Sequence, residues 1–391
     1  MKRLGARPAG GFSLVELMVS VVVGLLALLF ALRLFTSNEA VRQSALGGSD
    51  SMQNGMVALF SLSSDAEQAG FGLNDPIIAG CNTEFSDTEA FALAGATRAG
   101  AAITPLAPVV IAANGTAPDR VSFYSGSALA GTGTLRLTAD YAGGTSIRVD
   151  RFPWGFAVGD VIVVAPEQPG GRCALAQVSG ASAMNDAEPS LRIAQSEGLR
   201  YNSGQLGANF TGAASRVFDL GPAASLSFHT WSVADGYLQL RATGDGGSSA
   251  SAAAVADNIV SLKAQYGFDM RAGGAFQPDG GLQVGQWSAT MVDADGSGVN
   301  GDAGDWQRIA AVRLAVVARS KAAEHPGQGS ACTATTVQPT VFAGQVPQGV
   351  AAVPVTLDVA VAGDPVDWRC YRYRVFETVV TLRNAGWRPP Q

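Results

Sequence analysis

Residues 12–35 read FSLVELMVSVVVGLLALLFALRLF, and this stretch decides how the rest of the chain is arranged. Residues 17–32 carry no charged side chain. At a rise of about 1.5 Å per residue, a helix over residues 12–32 spans roughly 30 Å, which is the hydrocarbon thickness of a bilayer. We therefore predict one transmembrane helix over residues 12–35.

The eleven residues before this segment, MKRLGARPAGG, form a basic leader. The positive-inside rule keeps Lys2, Arg3 and Arg7 in the cytoplasm and places the chain after residue 35 on the periplasmic side. The apolar run is too long for a secretory h-region, and no small-x-small cleavage site follows it. The sequence thus predicts a single-pass membrane protein whose body lies outside the cytoplasm.

One carboxylate, that of Glu16, lies near the start of the apolar run. An unpaired carboxylate in hydrocarbon costs on the order of 3 kcal/mol, so this side chain needs a partner. Cleavage after Gly11 would give Phe12 a free α-amine, which could pair with Glu16 between neighbouring subunits. A tolerated glutamate at the interface of a plain anchor is the alternative interpretation.

Residues 11–17, GFSLVEL, resemble the prepilin motif of type IV pilins and type II secretion pseudopilins. The resemblance implies that a prepilin peptidase cleaves between Gly11 and Phe12 and that residues 1–11 are removed. It further implies that Phe12 becomes N-methylated and that Glu16 assists docking onto the preceding subunit.

The rest of the chain predicts an α+β fold of the pilin-like type. Residues 36–72 continue the helix as an amphipathic half, with Leu46, Met52, Met56, Leu59 and Leu62 at roughly helical spacing. Residues 73–391 read as a periplasmic β-rich body that packs against this helix as an antiparallel sheet with large β-rich insertions. The strand candidates are 109–112, 121–124, 134–138, 146–149, 161–165, 191–193, 214–220, 224–232, 237–241, 259–269, 309–318 and 371–382. A single core with insertions is favoured over two lobes divided near residues 196–214.

Four stretches resemble PilW-type minor pilins: 65–71 (DAEQAGF), 259–267 (IVSLKAQYG), 306–315 (WQRIAAVRLA) and 371–384 (YRYRVFETVVTLRN). This resemblance implies a non-catalytic subunit that helps to initiate pilus assembly in a priming complex and caps the fibre tip. The implied partners are other minor pilins, the major pilin, the prepilin peptidase and a large tip adhesin. A type II secretion pseudopilin and a pilin-anchored adhesin are the alternatives.

Four widely spaced cysteines, Cys81, Cys173, Cys332 and Cys370, fit disulfides in an oxidising compartment. Three pairings are possible, and four buried free thiols are the alternative. The shorter loops of Cys81–Cys173 and Cys332–Cys370 cost less entropy to close, which favours these pairs. No CxxC pair occurs and the chain has two histidines, so a Cys/His zinc site is disfavoured.

Residues 293–305, DADGSGVNGDAGD, place oxygen ligands at alternating offsets, as in a calcium loop. The side chains of Asp293, Asp295 and Ser297 and the carbonyl of Val299 match the first four positions of an EF-hand. Position twelve is a glycine, so Asp302 or Asp305 would have to supply the closing carboxylate. A solvated turn rich in Asp and Gly is the alternative; no other cofactor is predicted.

Other function classes are disfavoured by composition and by missing motifs. The formal net charge is −6 and the basic residues gather at the two ends, whereas nucleic-acid binders carry a basic patch. The sequence has no GxSxG, no P-loop and no GxGxxG that opens a helix. His229 lies in a predicted strand and His325 in a predicted loop, so neither is favoured as a catalytic base.

Overall fold

The structure is a computed structural model that describes residues 13–130, 133–184, 186–243, 251–324 and 331–386, with side chains outside 36–47. Gly11, Phe12 and His325 therefore lie outside the described residues. All statements below refer to the described part of the chain.

The first element is one helix, α1 (Leu14–Gln68), of 55 residues. It runs without a break through Gly47, Gly48 and Gly55, although glycine weakens the interior of a helix. The helix ends at Ala69, and Gly70 and Gly72 then take positive φ values of 83° and 71°, which glycine adopts without steric cost. The membrane half and the amphipathic half predicted from the sequence are thus one continuous rod.

The body that follows consists mostly of short strands. In chain order these are β1 (Cys81–Glu84), β2 (Ala96–Arg98), β3 (Ala101–Ile103), β4 (Pro105–Leu106), β5 (Val109–Ala112), β6 (Arg120–Ser125), β7 (Leu135–Arg136), β8 (Ser146–Arg148), β9 (Asp160–Pro166), β10 (Arg172–Gln177), β11 (Gly180–Ala181) and β12 (Ser190–Arg192). They continue with β13 (Ser215–Pro222), β14 (Ser227–Ala234), β15 (Tyr237–Ala242), β16 (Ala253–Asp257), β17 (Ile259–Phe268), β18 (Gln286–Ser288), β19 (Ile309–Arg319), β20 (Thr340–Val341), β21 (Val355–Thr356) and β22 (Tyr373–Thr381). Two short helices, α2 (Ala303–Trp306) and α3 (Arg383–Gly386), flank β19 and β22 in the chain.

Three larger sheets organise these strands. One has six strands in the order β4-β1-β10-β9-β13-β7, one has five in the order β16-β15-β14-β6-β5, and one has four in the order β18-β17-β19-β22. The pairing is antiparallel except between β1 and β10. The four-stranded sheet carries α1 on one face, which confirms the predicted α+β arrangement of a long helix on an antiparallel sheet.

The main core lies where α1 meets the sheets. Ala58, Leu62 and Ala66 of α1 are fully buried against the alternating apolar side chains of β17 and β19. A second cluster fills the opposite face of the six-stranded sheet and is built from residues between 135 and 217. A third, around Phe342 and Leu357, covers the face of the four-stranded sheet away from α1. Residues 135–217 thus contribute to two cores: Val161, Val163 and Leu175 belong to the main core, and the opposite face of the same sheet belongs to the second cluster.

The strands that the sequence missed are mostly short or poor in β-branched residues. All twelve predicted segments overlap an observed strand, whereas β10 (RCALAQ), a central strand of the six-stranded sheet, was not predicted. Alanine and glutamine have low strand propensity, and tertiary burial on both faces overrides that preference here.

Covalent and ionic links tie distant segments together. Cys81–Cys173 joins β1 to β10 and Cys332–Cys370 closes a shorter loop, so both pairs favoured from the sequence are disulfide bonds in the structure. On the face of β17 away from α1, the buried Lys263 ammonium pairs with Asp119 and binds the carbonyls of residues 115 and 117 at 2.9 and 3.0 Å. A buried charge needs such a complete set of partners. The contact therefore fixes the position of the loop of residues 115–119 on the sheet.

The contact between α1 and β22 generates a stability prediction. A Cβ atom built on Gly55 would lie 2.1 Å from the ring of Phe376, whereas one on Gly48 would lie 3.6 Å from the flexible Arg374 guanidinium. We expect Gly55→Ala to lower the stability of the full-length protein in detergent by about 1–2 kcal/mol, because the clash outweighs the gain in helix propensity. Gly48→Ala is the matched control and should be neutral or stabilising by up to ~1 kcal/mol. Thermal unfolding checks both, and equal effects of the two variants would contradict the packing described here.

Candidate functional site

The first part of α1 is not buried against any of the described residues. Leu14–Phe35 has a mean hydropathy of 2.6, none of it is buried, and it is the one described helix long and apolar enough to cross a membrane. The exposed fraction is 76% for Leu14 and 71% for Phe35. A side-chain surface this apolar is stable only in lipid or against other protein, so this segment is a candidate for both anchoring and assembly.

Glu16 lies in the first turn of α1 and is exposed. A carboxylate in this position interacts favourably with the partial positive charge of the helix N-terminus. That interaction offsets part of the desolvation cost but leaves the carboxylate available to a second charge from outside the chain. The predicted roles of Gly11 and Phe12 fall outside the described residues and stay predictions.

The second half of α1 is attached to the body by a partly buried carboxylate. Asp65 Oδ2 lies 2.7 Å from His229 Nδ1 and accepts a hydrogen bond from Trp231 Nε1 at 2.7 Å. His229 and Trp231 are two residues apart on β14, so both side chains project from the same face toward the helix. Strand alternation predicts that these two residues share a face, but it does not reveal that Asp65 is their common partner.

Ser227 extends this group into a Ser–His–Asp series, because its Oγ lies 3.2 Å from His229 Nε2. The order of contacts is that of a hydrolase triad, which additionally requires oxyanion donors and a substrate cleft beside the serine. A surface cleft of about 310 Å³ at the end of α1 is lined by Glu67, Gln68, Phe71, Ser125, Gly126, Ala128 and Asn384, and includes none of the three. The contacts observed join the helix to the sheet, and we call the group of Asp65, His229 and Trp231 the Asp65 latch.

The predicted calcium loop brings three carboxylates together. Ligand oxygens of Asp293, Asp295 and Asp305 all lie within 4.8 Å of one another. Asp305 is fully buried, and its carboxylate accepts N–H bonds from Ala294 at 2.6 Å and Gly301 at 2.7 Å. Burial raises the pKa of Asp305 to about 6, although the backbone N–H donors oppose the shift. The carboxyl groups are therefore close, and part of their charge is satisfied by the chain itself.

The other predicted ligands take different places in this loop. Asp302 caps α2 by accepting from Asp305 N–H at 3.1 Å, and it also accepts from Ser297 Oγ at 2.7 Å. Ser297 Oγ in turn accepts from Val299 N–H at 3.2 Å. Asp305 and not Asp302 thus joins Asp293 and Asp295, and calcium binding stays a prediction.

A buried arginine that the sequence did not reveal packs on the face of the four-stranded sheet away from α1. Arg313 of β19 is 2% exposed, lies over the rings of Phe342 and Trp287 at 4.9 and 5.7 Å, and is 3.6 Å from Glu377. It also donates to the carbonyl of Gly344 at 2.9 Å. Burial lowers the pKa of Arg313, and Glu377 opposes that shift. Arg313 thereby connects β19 and β22 to the segment that covers their outer face.

Comparison with known protein families gives two matches that fall on the two parts just described. Residues 7–32 match the prokaryotic N-terminal methylation motif, and residues 231–384 match the family described as type IV pilus-assembly protein W. The second match contains the whole four-stranded sheet under α1, whereas residues 135–217, which form the second core, lie outside it. Comparison with curated proteins and with solved structures gives no match. In the apolar helix and in the sheet beneath its second half, this chain is therefore similar to type IV pilus-related minor pilins of the PilW family.

Proposed function

We propose that the protein is a non-catalytic minor pilin that helps to initiate type IV pilus assembly as part of a priming complex at the fibre tip. The observation that carries this proposal is the continuity of α1. One continuous helix joins an apolar segment of membrane length, with a carboxylate in its first turn, to a body anchored by the Asp65 latch. The partners expected are the prepilin peptidase, other minor pilins, the major pilin and a tip adhesin.

The mechanism follows from the two ends of this helix. In the inner membrane the segment Leu14–Phe35 is solvated by lipid, and Glu16 lacks a counter-ion within the chain's described residues. Docking onto a neighbouring subunit gives Glu16 the α-amine of a processed N-terminus, which neutralises both charges away from water. Helix–helix contacts then replace lipid contacts as the subunit leaves the bilayer, so the transfer costs little hydrophobic free energy.

Two other functions of the same helix are distinguishable. A type II secretion pseudopilin would leave surface pili intact when deleted and would abolish protein secretion. An adhesin that uses α1 only as an anchor would tolerate loss of Glu16 and would lose surface binding when the body is altered.

Processing is tested at the predicted cleavage site. We expect Gly11→Leu to leave the leader, residues 1–11, on the protein and to abolish its appearance in sheared pili, because the α-amine of Phe12 is never formed. Gly10→Ala is the neighbouring control and should be processed normally. Precursor size on immunoblots and mass spectrometry of the N-terminus give the result; a mature-sized Gly11→Leu protein would refute cleavage at this site.

Docking is tested at the membrane carboxylate. Glu16→Ala should be processed and remain in the membrane, yet its incorporation into pili should fall on the order of a hundredfold, since a pairing worth about 3 kcal/mol is lost. Ser20→Ala, one turn further along the same helix, is the matched control and should assemble normally. The measurement is the ratio of protein in sheared pili to protein in membranes, and an unchanged ratio for Glu16→Ala would refute the assembly role.

The calcium prediction has its own test. If calcium binds, 1 mM CaCl₂ should raise the thermal midpoint relative to EDTA, because a ligand that binds only the native state stabilises it. Asp293→Asn should abolish this calcium-dependent rise, whereas the exposed Asp279→Asn should retain it. Identical thermal midpoints in calcium and EDTA for the unaltered chain would refute calcium binding.

A further inference from the structure

The four-stranded sheet ends at a long strand with a free outer side. β22 pairs with β19 from Arg319↔Tyr373 to Ala311↔Thr381 without a register shift, and it has no second neighbour among the described residues. Its nine residues, YRVFETVVT, contain no proline. Natural proteins usually interrupt or cover edges of this length, because a free edge can pair with another chain.

The register shows which backbone groups face outward. Leu382 N–H donates to the Ala310 carbonyl at 2.9 Å, and Ser320 N–H donates to the Arg372 carbonyl at 2.8 Å. Even-numbered residues of β22 therefore exchange their hydrogen bonds with β19, as alternate residues do in an antiparallel pair. The odd-numbered residues turn their N–H and C=O groups to the outer side, and these are Tyr373, Val375, Glu377, Val379 and Thr381.

The charged side chains of β22 do not cover the outward backbone groups of this edge. Arg374 lies against Gly48 of α1. The carboxylate of Glu377 accepts a hydrogen bond from Phe342 N–H at 2.7 Å, on the other face of the sheet. Both charges are directed onto the body, which leaves the outer backbone groups accessible.

An apolar row on α1 lies above the same edge. Gly55 faces Phe376 of β22, and Asn54 binds Asp257 of β16 on one side of the helix. Since successive residues are separated by about 100° around a helix, Met56 projects to the side opposite Asn54, over the outer edge of β22. Met52 and Phe60 lie one turn before and after it. Their exposed fractions are 46% for Met52, 51% for Met56 and 75% for Phe60.

We propose that the outer edge of β22 and this apolar row form a docking surface for an extended strand of another pilin-type subunit. A strand satisfies the outward N–H and C=O groups, and every second side chain of that strand would pack against the row on α1. A helix in this place would cover the apolar row but leave the backbone groups of β22 unpaired. The chemistry of the surface therefore selects extended backbone with apolar residues at alternate positions.

The direction of α1 argues against antiparallel pairing of this edge with the same edge of a second copy of this chain. β22 runs alongside α1 in the same direction, from Arg374 near Gly48 to Asn384, which donates to the carbonyl of Gln68 at 3.1 Å. Antiparallel pairing of two β22 edges would require a two-fold axis that reverses α1, whereas all copies enter the membrane in one orientation. The inference rests on the proposed function, because membrane assembly is what brings another subunit alongside α1.

Cross-linking in cells that assemble pili tests the pairing with the full-length chain. The photoreactive residue p-benzoylphenylalanine replaces Val375 in one strain and Thr381 in another. A partner strand gives adducts to two residues about six apart in another pilin-type chain. A partner helix, which rises about 1.5 Å per residue, gives adducts about 13 apart instead. The helical spacing, adducts to a second copy of this chain, or incorporation into pili without any adduct would each overturn the proposal.

Matched variants separate pairing from folding. Val375→Pro removes an outward N–H and spares the ladder to β19, so we expect the Thr381 adduct to fall at least tenfold, whereas Val375→Thr keeps it. Met56→Lys should have the same effect, and Val57→Lys, on the far side of the exposed helix surface, should not. Equal losses for Met56→Lys and Val57→Lys would overturn the role of the apolar row.

Processing and pilus incorporation of each variant are measured in parallel. A chain that is not cleaved after Gly11, or that never enters pili in its unaltered form, refutes the proposed function and this inference with it. Normal processing and incorporation without the strand-spaced adducts refutes the strand pairing alone.

Discussion

The packing of α1 on β19 and β22 is the contact on which the other features depend. A helix of 55 residues whose first 22 have no support from the body must be held entirely by its second half. Small residues make this possible: Gly55 admits the ring of Phe376, and Ala58 and Ala66 let the helix approach the sheet closely. The Asp65 latch to His229 and Trp231 then fixes its rotation, because a charge-assisted hydrogen bond is directional in a way that apolar packing is not.

The sequence predicted the elements that are governed by local pattern. The uncharged run of residues 17–32 and the β-branched strands could be predicted because each has a period of its own. The disulfide pairs followed from loop length. Features that depend on contacts between distant segments were not visible, and these include strand β10, the burial of Arg313 and the role of Asp65. Such positions carry residue types with weak local preferences, and only the tertiary contact determines their place.

In the candidate sites, too, features set by local sequence could be predicted and features set by contacts between distant segments could not. Glu16 was found from sequence because a carboxylate in an apolar run is chemically conspicuous. The acidic loop was also found, but the choice between Asp302 and Asp305 depended on which side chain caps α2. The free edge of β22 could not be found, since an edge strand and a central strand have similar sequences and differ only in what lies beside them. Residues 135–217 lie outside both family matches, although several of their side chains belong to the main core.

The parallel course of α1 and β22 has a mechanical consequence. A force that pulls on the apolar segment of α1 would act along the helix axis, and this axis is also the direction of the strands under the helix. Tension that passes from α1 into the body would therefore shear the ladders between β17, β19 and β22, so that many hydrogen bonds bear the load at once. A sheet oriented across the axis would instead be unzipped one bond at a time, and its resistance to forced unfolding, which is set by the unfolding rate, would be lower.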